Sequence, residues 1–463
     1  MNSKKSKKVL HPLVVMIFVI LAAAILTYTV GAGSFARHGA LVVPGTYNAI
    51  PKDNGWQALF APGTSAPAGK TVHASSIVSV FLSIPGGMVK NASLIFMVMF
   101  VGGMFGVLRR TGAIDAGADR LIRVTSSKVN LLVPILMIAL ALGSTFLGFI
   151  SEYLVIIPIV AIVGERLGYG PMFAAAIVGV AAKIGYATSV TNPLALIVAQ
   201  PLAHVPLFSG IGFRLALFVV FLSLGIAYVV VFLRIGAKSH TVPAATPESK
   251  LTRKQTTVLL ALLLAGIIMV FGSVMWGWHE NEIGAYYIGL SFIFAVLGGL
   301  EAREAADAFV DGLKSMMLAA LLIGLAGSVQ ILLQESSVLD TLIFEATRAI
   351  DGHSRALMAN ELMGIEMALG VLIPSTAGKV AVSMPILAPI AQLSGVTGQT
   401  TVLAFILGNG LTNMITPTSG MLLAYLATAR VGYTEWLRFI LPLFACLLLL
   451  SALALAVAVA IGY

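Results

Sequence analysis

Cysteine and charge are what this sequence has least of. Its single cysteine, Cys446, lies in an apolar run, which excludes a disulfide framework or a cysteine-cluster metal site within one chain. Charged residues make up 10% of the 463 positions, against roughly a quarter in soluble globular chains. No Walker motif occurs, so direct drive by ATP is excluded for this chain. There is no nucleophile elbow, no HExxH zinc pair and no cluster of acids at a helix end, and the HENE at His279 lacks the second histidine. A membrane-embedded enzyme is therefore only a remote alternative. The remainder is apolar: 59% hydrophobic residues and a mean hydropathy of +0.99 mark an all-α polytopic membrane protein. The net charge of +9 sits in short loops, the pattern that orients a protein in a bilayer, so no nucleic-acid partner is expected.

One stretch occurs twice. Residues 148–200 and 373–427 each open on a small or polar cluster: Gly148, Ser151 and Glu152 in the first, Ser375, Thr376, Gly378 and Lys379 in the second. Short apolar runs follow in register, PIVAIVGERLG from Pro158 and PILAPIAQLSG from Pro385. Longer apolar runs come next, broken near their middles by SVTNP at 189–193 and TPTSG at 416–420. Turn residues inside an apolar helix leave backbone groups unpaired where there is no water. That is tolerated only where the break is buried in protein or lines a site. A matched pair of interrupted segments in two halves is the best sequence pointer to a secondary transporter's binding site. The competing explanation is chance similarity between two membrane helices containing glycine and proline.

Charge placement gives the topology. Lys4, Lys5, Lys7 and Lys8 precede an apolar run at 12–30 that is long enough to span, with no convincing small-residue cleavage site after it. It reads as a retained first span with a cytoplasmic N-terminus. An outer loop of roughly forty-five residues follows, then IVSVFLSIPGGMVKNA, read as an interfacial helix, then a span at 94–108. Legs at 130–147 and 153–166 meet at GFISE, and the second is too short to span. This predicts a re-entrant hairpin over 130–166, entering from the cytoplasm. A broken helix at 172–203 crosses outward, and a span at 212–234 returns to a cytoplasmic linker at 236–255, the boundary between a first half at 1–235 and a second at 256–463. The second half opens with an extra span at 256–275 and continues with spans at 285–300 and 315–333, separated by the amphipathic EAREAADAFVDG. A hairpin over 357–393 entering from outside, a broken helix at 399–427 and a last span at 439–460 complete it, leaving the C-terminus outside. The unpaired span at 256–275 reverses everything after it, so the repeat is inverted. Loops placed by charge and length alone yield that inversion, which argues against chance.

The candidate substrate-binding residues are the polar groups at the breaks and tips: Ser151, Glu152, Ser189, Thr191, Asn192, Ser375, Thr376, Lys379, Asn413, Thr416, Thr418 and Ser419. Freed carbonyls suit a dehydrated cation such as Na⁺, here near Asn192 and Thr418, while half-helix N-termini favour an anion. The plainer alternative is that the hydroxyls merely satisfy local backbone at a kink. Glu152 and Lys379 hold equivalent places on the two tips, 227 positions apart. A lone ionisable group at mid-membrane is normally paired, hydrated or functional. Lys379 is expected to face residues 416–419, where it pairs with Glu152, contacts the anionic part of a substrate, or replaces a bound Na⁺ with a titratable charge. Lys183 is a third such group, with its counterpart in the repeat near Asn409. Glu152, Lys183, Asn192, Lys379, Asn409 and Thr418 are accordingly the candidates for coupling to Na⁺ or H⁺, and no other cofactor is expected. Glu361 and His204 read as solvated groups near helix ends.

The chain resembles the YfcC family of DcuC-type carriers, in the ion transporter superfamily with the dicarboxylate/sodium symporters and the aminobenzoyl-glutamate carriers. The similarity runs almost end to end, through LVVPGTYNAI, VGGMFGVLRRTGAIDAG, SVTNPLALIVAQ, PLFSGIGFRL, IPSTAGK, SMPILAPIAQLSGV, TNMITPTSG and YTEWLRF. The resemblance implies a homodimer in the bacterial inner membrane, with scaffold and transport domains. It also implies hairpin tips and broken helices enclosing the substrate, and an elevator-like movement. The family's Thr-Asn-Pro corresponds to Thr191–Pro193 and its Pro-Thr-Ser-Gly to Pro417–Gly420. Its Pro-Ser-Gly-Ser-Gly-Gln tip corresponds to Pro374–Lys379, with lysine in place of glutamine. Its acidic pair at the first tip is Glu152 followed by Tyr153, and its Gly-Asp-Gly is Gly408, Asn409 and Gly410. These departures move the site toward positive charge and favour an anionic or zwitterionic substrate over a dibasic amino acid. The expected function is uptake of a carboxylate or amino acid coupled to Na⁺ or H⁺, with exchange of amino acids or dipeptides on the same fold as the alternative.

Overall fold

An apolar chain in lipid must close its backbone hydrogen bonds within its own segments, and the computed structural model does so with helix after helix. It describes residues 12–38, 41–60, 72–114, 116–117, 129–236, 252–349 and 353–463. In chain order the first half holds α1 (Pro12–Thr29), α2 (Ile77–Lys90), α3 (Ala92–Arg110), α4 (Val129–Leu142), α5 (Ile156–Arg166), α6 (Met172–Thr188), α7 (Pro193–Leu202) and α8 (Ile211–Gly236). The second holds α9 (Arg253–Met275), α10 (Glu280–Gly298), α11 (Ala302–Ser315), α12 (Met317–Glu335) and α13 (Val338–Ala349), then α14 (Arg355–Leu372), α15 (Thr376–Leu393), α16 (Gly398–Ile415), α17 (Gly420–Thr428) and α18 (Tyr433–Ile461). Among the described residues, six helices are long and apolar enough to cross a bilayer. The expected linker at 236–255 lies mostly outside the described residues.

The segment between α1 and α2, expected as a plain outer loop, adds three small ladders to the all-α plan. β1 (Ala32–Ser34) pairs antiparallel with β4 (Asn48–Ile50), β2 (Arg37–His38) with β3 (Leu41–Val42), and β5 (Lys52–Asp53) runs parallel to β6 (Val72–His73). The ladders give the segment a shape that docks. Asp340 on α13 accepts from the Phe35 amide at 3.0 Å and from the Arg37 guanidinium at 2.7 Å. Tyr47 stacks on Phe344 with ring centroids 4.0 Å apart. Phe35 and Val42 also join Leu369 and Ile386 of the α14–α15 pair in a small apolar cluster. The segment at 77–90, expected at the interface, instead packs antiparallel along α12. Ser75 meets Ser336 at one end of that contact, and Asn91 Nδ2 donates to the Ile323 carbonyl at the other, at 3.2 Å. Gly87 lies between, so close to the backbone of Gly324 and Ser328 that a Cβ there has no room.

The helices sort into two packed groups, each drawing on both halves of the sequence. In one, α2 and α1 lie on α12, while α10 and α11 flank α3. In the other, α6 and α16 cross at the centre, with α4 and α8 against α6, α14 and α18 against α16, and α15 against α7. Contact of α12 with α17, and of α13 and the α1–α2 segment with α15, joins the groups. The second leg of the first hairpin, α5, has 11 residues. At 1.5 Å per residue that is ~16 Å, about half of a bilayer's apolar core.

Both central helices stop where expected. Helix α6 ends at Ser189, whose φ of +39° is left-handed, and Pro193 opens α7 at a position where its missing N–H costs nothing. Helix α16 ends at Thr416, which precedes Pro417 and is held extended at ψ +131°, as the pyrrolidine ring demands. Ser419 then caps α17 by accepting from the Leu422 amide at 3.3 Å. Where α6 and α16 cross, a Cβ on Gly410 would strike the backbone of Ala187, so only glycine fits there.

Candidate functional site

Each break is tied to the hairpin of its own repeat. In the first half, α4 runs on into a π-helical turn at Gly143–Leu147. Thr191 Oγ1 donates to the Phe146 carbonyl at 3.0 Å, and the Thr191 amide donates to the Thr145 carbonyl at 3.1 Å. The Val190 amide donates to Thr145 Oγ1 at 3.0 Å. In the second half, Thr418 Oγ1 donates to the Val371 carbonyl in the last turn of α14 at 2.8 Å and shares a 2.7 Å contact with Thr416 Oγ1. Thr191 and Thr418 are 227 positions apart, the same offset as Glu152 and Lys379. Two threonines related by the repeat thus make the same kind of bond, each holding a break to the end of a hairpin's first leg.

The carbonyls freed at the breaks are satisfied from behind. Arg214, fully buried at the start of α8, donates to the Val190 carbonyl at 3.1 Å and to the Ser209 carbonyl at 2.7 Å. Trp436 Nε1 donates to the Met414 carbonyl at 2.9 Å, and the Tyr433 hydroxyl donates to the Ile415 carbonyl.

Between the breaks lies a polar network that joins both repeats. Asn409 Nδ2 donates to the Tyr186 hydroxyl and to Thr376 Oγ1, both at 3.1 Å, and those two oxygens lie 2.5 Å apart. Asn413 Nδ2 donates back to the Asn409 carbonyl at 2.9 Å. The first broken helix, the second broken helix and the second tip therefore meet at Asn409. One turn before Tyr186, Lys183 is buried at 3% exposure, with its ammonium 5.6 Å from the Tyr425 ring centroid. The Tyr425 hydroxyl donates to the Ile150 carbonyl at the first tip. There Glu152 accepts from the Ile150 amide at 2.9 Å and from the Ser151 hydroxyl at 3.3 Å. Ser375 is exposed and caps α15 through the Gly378 amide at 3.2 Å. Ser189 and Asn192 are fully buried at the first break.

Lys379 is where expectation and geometry part. It neither faces residues 416–419 nor pairs with Glu152. Its ammonium lies 3.8 Å from the Glu366 carboxylate, donates to the Glu366 carbonyl at 3.1 Å and sits over the Phe405 ring. The first turn of α15 carries the side chain back into the hairpin, between α14 and α16, where both charged groups are buried. Glu366 lies in the hairpin's first leg at 357–372, so an acid within reach of the tip was present in the sequence; repeat symmetry pointed to Glu152 instead. Glu361 pairs with His353 at 2.8 Å, in keeping with its expected place near the surface. Tyr186, Arg214 and Tyr425 were not anticipated. Arg214 had a signal, as the one charge within the apolar run at 211–233, whereas a tyrosine in an apolar helix has none.

Two clefts open at the seam between the helix groups. One, of about 1100 Å³, is lined by Arg109, Arg110, Glu165, Glu304, Asp307 and Arg430 among others. The other, of about 590 Å³, lies by the second tip at Ile373 and Gly378, walled by Arg37, Gln334 and Asp340. Among the described residues, no group of three or more His, Cys, Asp or Glu is placed to hold a metal ion.

Residues 11–460 match the family described as C4-dicarboxylate anaerobic carrier. A relative from Escherichia coli K12, described as the putative basic amino acid antiporter YfcC, is 29% identical over 394 residues, covering 80% of this chain and 78% of that protein. An uncharacterised protein of Haemophilus influenzae is 25% identical over 406 residues, covering 84% and 80%. Among solved structures, the YdaH transporter of Alcanivorax borkumensis aligns at 19% identity with a TM-score of 0.45, covering 98% of this chain and 99% of that one. MtrF of Neisseria gonorrhoeae aligns at 17% identity with a TM-score of 0.41, covering 97% and 95%.

Proposed function

The chain belongs to the C4-dicarboxylate anaerobic carrier family of membrane transporters, and from that premise we propose that it is a secondary active transporter of a small carboxylate-bearing anion or amino acid. The substrate sits between the two tips and the two breaks, and a gradient of Na⁺ or H⁺ drives its movement. The observation that carries this reading is the matched pair of threonine bonds, Thr191 to Phe146 and Thr418 to Val371. Two equivalent gates of opposite orientation around one centre are what alternating access needs. The group centred on α6 and α16 moves as an elevator against the group built on α3 and α12, in a homodimer. A carboxylate suits a centre that has Asn409 in place of an acid and Lys183 beside it. Exchange is the second reading, favoured by the similarity to the Escherichia coli relative described as a putative antiporter.

Purified protein screened by thermal shift against succinate, L-aspartate, L-glutamate and L-arginine, in NaCl and in KCl, tests the reading. Stabilisation by a carboxylate is expected, and dependence on NaCl identifies the coupling ion. Stabilisation by L-arginine alone overturns it in favour of a dibasic exchanger.

The orientation has its own check. In a Cys446→Ser background, Asn48→Cys on exposed β4 should react with an impermeant maleimide on intact cells. Arg253→Cys, exposed at the start of α9, should react only after permeabilisation. The reverse pattern removes the inverted-repeat argument.

A further inference from the structure

Among the described residues, three cations are buried in the group of helices around α6 and α16, and two of them have polar or charged partners. Arg214 is held by the carbonyls of Val190 and Ser209 and by the Tyr463 hydroxyl. Lys379 has the Glu366 carboxylate and carbonyl. Among the described residues, Lys183 has no hydrogen bond and no ion pair, and its ammonium lies over the face of Tyr425. An ammonium carries three donors, and one that is buried without an anion is unfavourable in a low-dielectric interior. A ring face offsets part of that and leaves the donors open.

The surroundings say what would fill them. Lys183 lies on α6 one turn from Tyr186, whose hydroxyl meets Asn409 and Thr376 of the second repeat. Its neighbour Tyr425 reaches the first tip at Ile150. Glu152, the acid of that tip, is turned onto its own backbone and the Ser151 hydroxyl. The position thus borders elements of both gates, and among the described residues no acid pairs with it. We infer that the Lys183 ammonium receives a carboxylate of the transported substrate, with the Asn409–Tyr186–Thr376 network one turn away as the polar partner for the rest of the molecule. This rests on the transport reading above and adds to it the residue that selects the substrate's charge.

The test uses full-length protein in detergent, titrated with potassium succinate and potassium L-aspartate by calorimetry, with and without NaCl. Lys183→Gln should keep the wild-type elution profile and bind whichever carboxylate the wild type binds at least tenfold more weakly. Lys183→Arg retains the charge on a broader head, so the ranking of succinate against L-aspartate should change. Wild-type affinities in both variants overturn the inference and leave transport standing. So does a glutamine variant that binds normally only in NaCl, since the ammonium would then stand in for a coupling cation. A wild type that binds neither carboxylate overturns the inference and the carboxylate reading together. Should the glutamine variant fail to fold, the arginine variant decides: an altered ranking supports the contact, and unchanged affinities overturn it.

Discussion

Lys379→Gln should destabilise the protein rather than weaken substrate binding. The ammonium and the Glu366 carboxylate are 3.8 Å apart with side-chain exposures of 0% and 1%. Removing one member of such a pair strands the other charge in a medium that solvates it poorly, which typically costs about 3–5 kcal/mol. The loss should appear as a lower unfolding midpoint in detergent, without a change in ligand affinity for the fraction that remains folded. Glu366→Gln should cost a comparable amount, because it strands the ammonium. The double variant, with two neutral amides facing each other, should recover most of the stability, and that recovery is the signature of a pair. If each single variant unfolds like the wild type, the two groups are not each other's partners. If Lys379→Gln folds normally and loses carboxylate affinity, Lys379 belongs to the site after all.

The sequence displayed the architecture because the forces that set it are local. A cluster of turn residues inside an apolar run, SVTNP or TPTSG, stops a helix where a lone proline such as Pro134 or Pro442 does not, so the breaks at Ser189 and Thr416 are visible without any tertiary knowledge. Length did the same for α5, and repeat spacing for the tips. The partners of the charged groups were not visible, because they depend on which way one turn of helix faces. Glu152 and Lys379 are equivalent in the repeat, yet one folds back onto its own tip and the other points into the hairpin behind it. Symmetry in sequence fixes the backbone places of two residues and leaves their side-chain directions open. Tyr186 and Tyr425 carry no sequence signal for a related reason: each has an apolar ring suited to a membrane helix, and only packing gives its hydroxyl a partner. The segment between α1 and α2 forms its ladders from two- and three-residue strands, too short for any alternation to register.

Removing the hydroxyls at the breaks should abolish uptake while leaving a folded protein. Thr418→Val retains the shape of the side chain and deletes the bond to Val371, and Thr191→Val deletes the bond to Phe146. A single neutral hydrogen bond contributes about 0.5–1.5 kcal/mol to stability, so each variant should still purify as folded protein. Transport is more demanding. The breaks must hold a partly unwound backbone in one geometry while substrate and ion bind, and the threonine hydroxyl is the bond that both repeats share in fixing each break to the end of its hairpin's first leg. Uptake of a carboxylate into proteoliposomes should therefore be lost in either valine variant, and in Asn192→Ala, which empties a fully buried position between Thr191 and Pro193. Thr418→Ser is the control: it restores the hydroxyl with one methyl fewer and should restore most of the uptake. Normal uptake in the valine and alanine variants would reduce the breaks to structural kinks. Loss of uptake in the serine variant as well would point to packing of the methyl group and not to the bond. The combination of inactive valine and active serine at both Thr191 and Thr418 would place the same working part in each repeat, as a pair of gates requires.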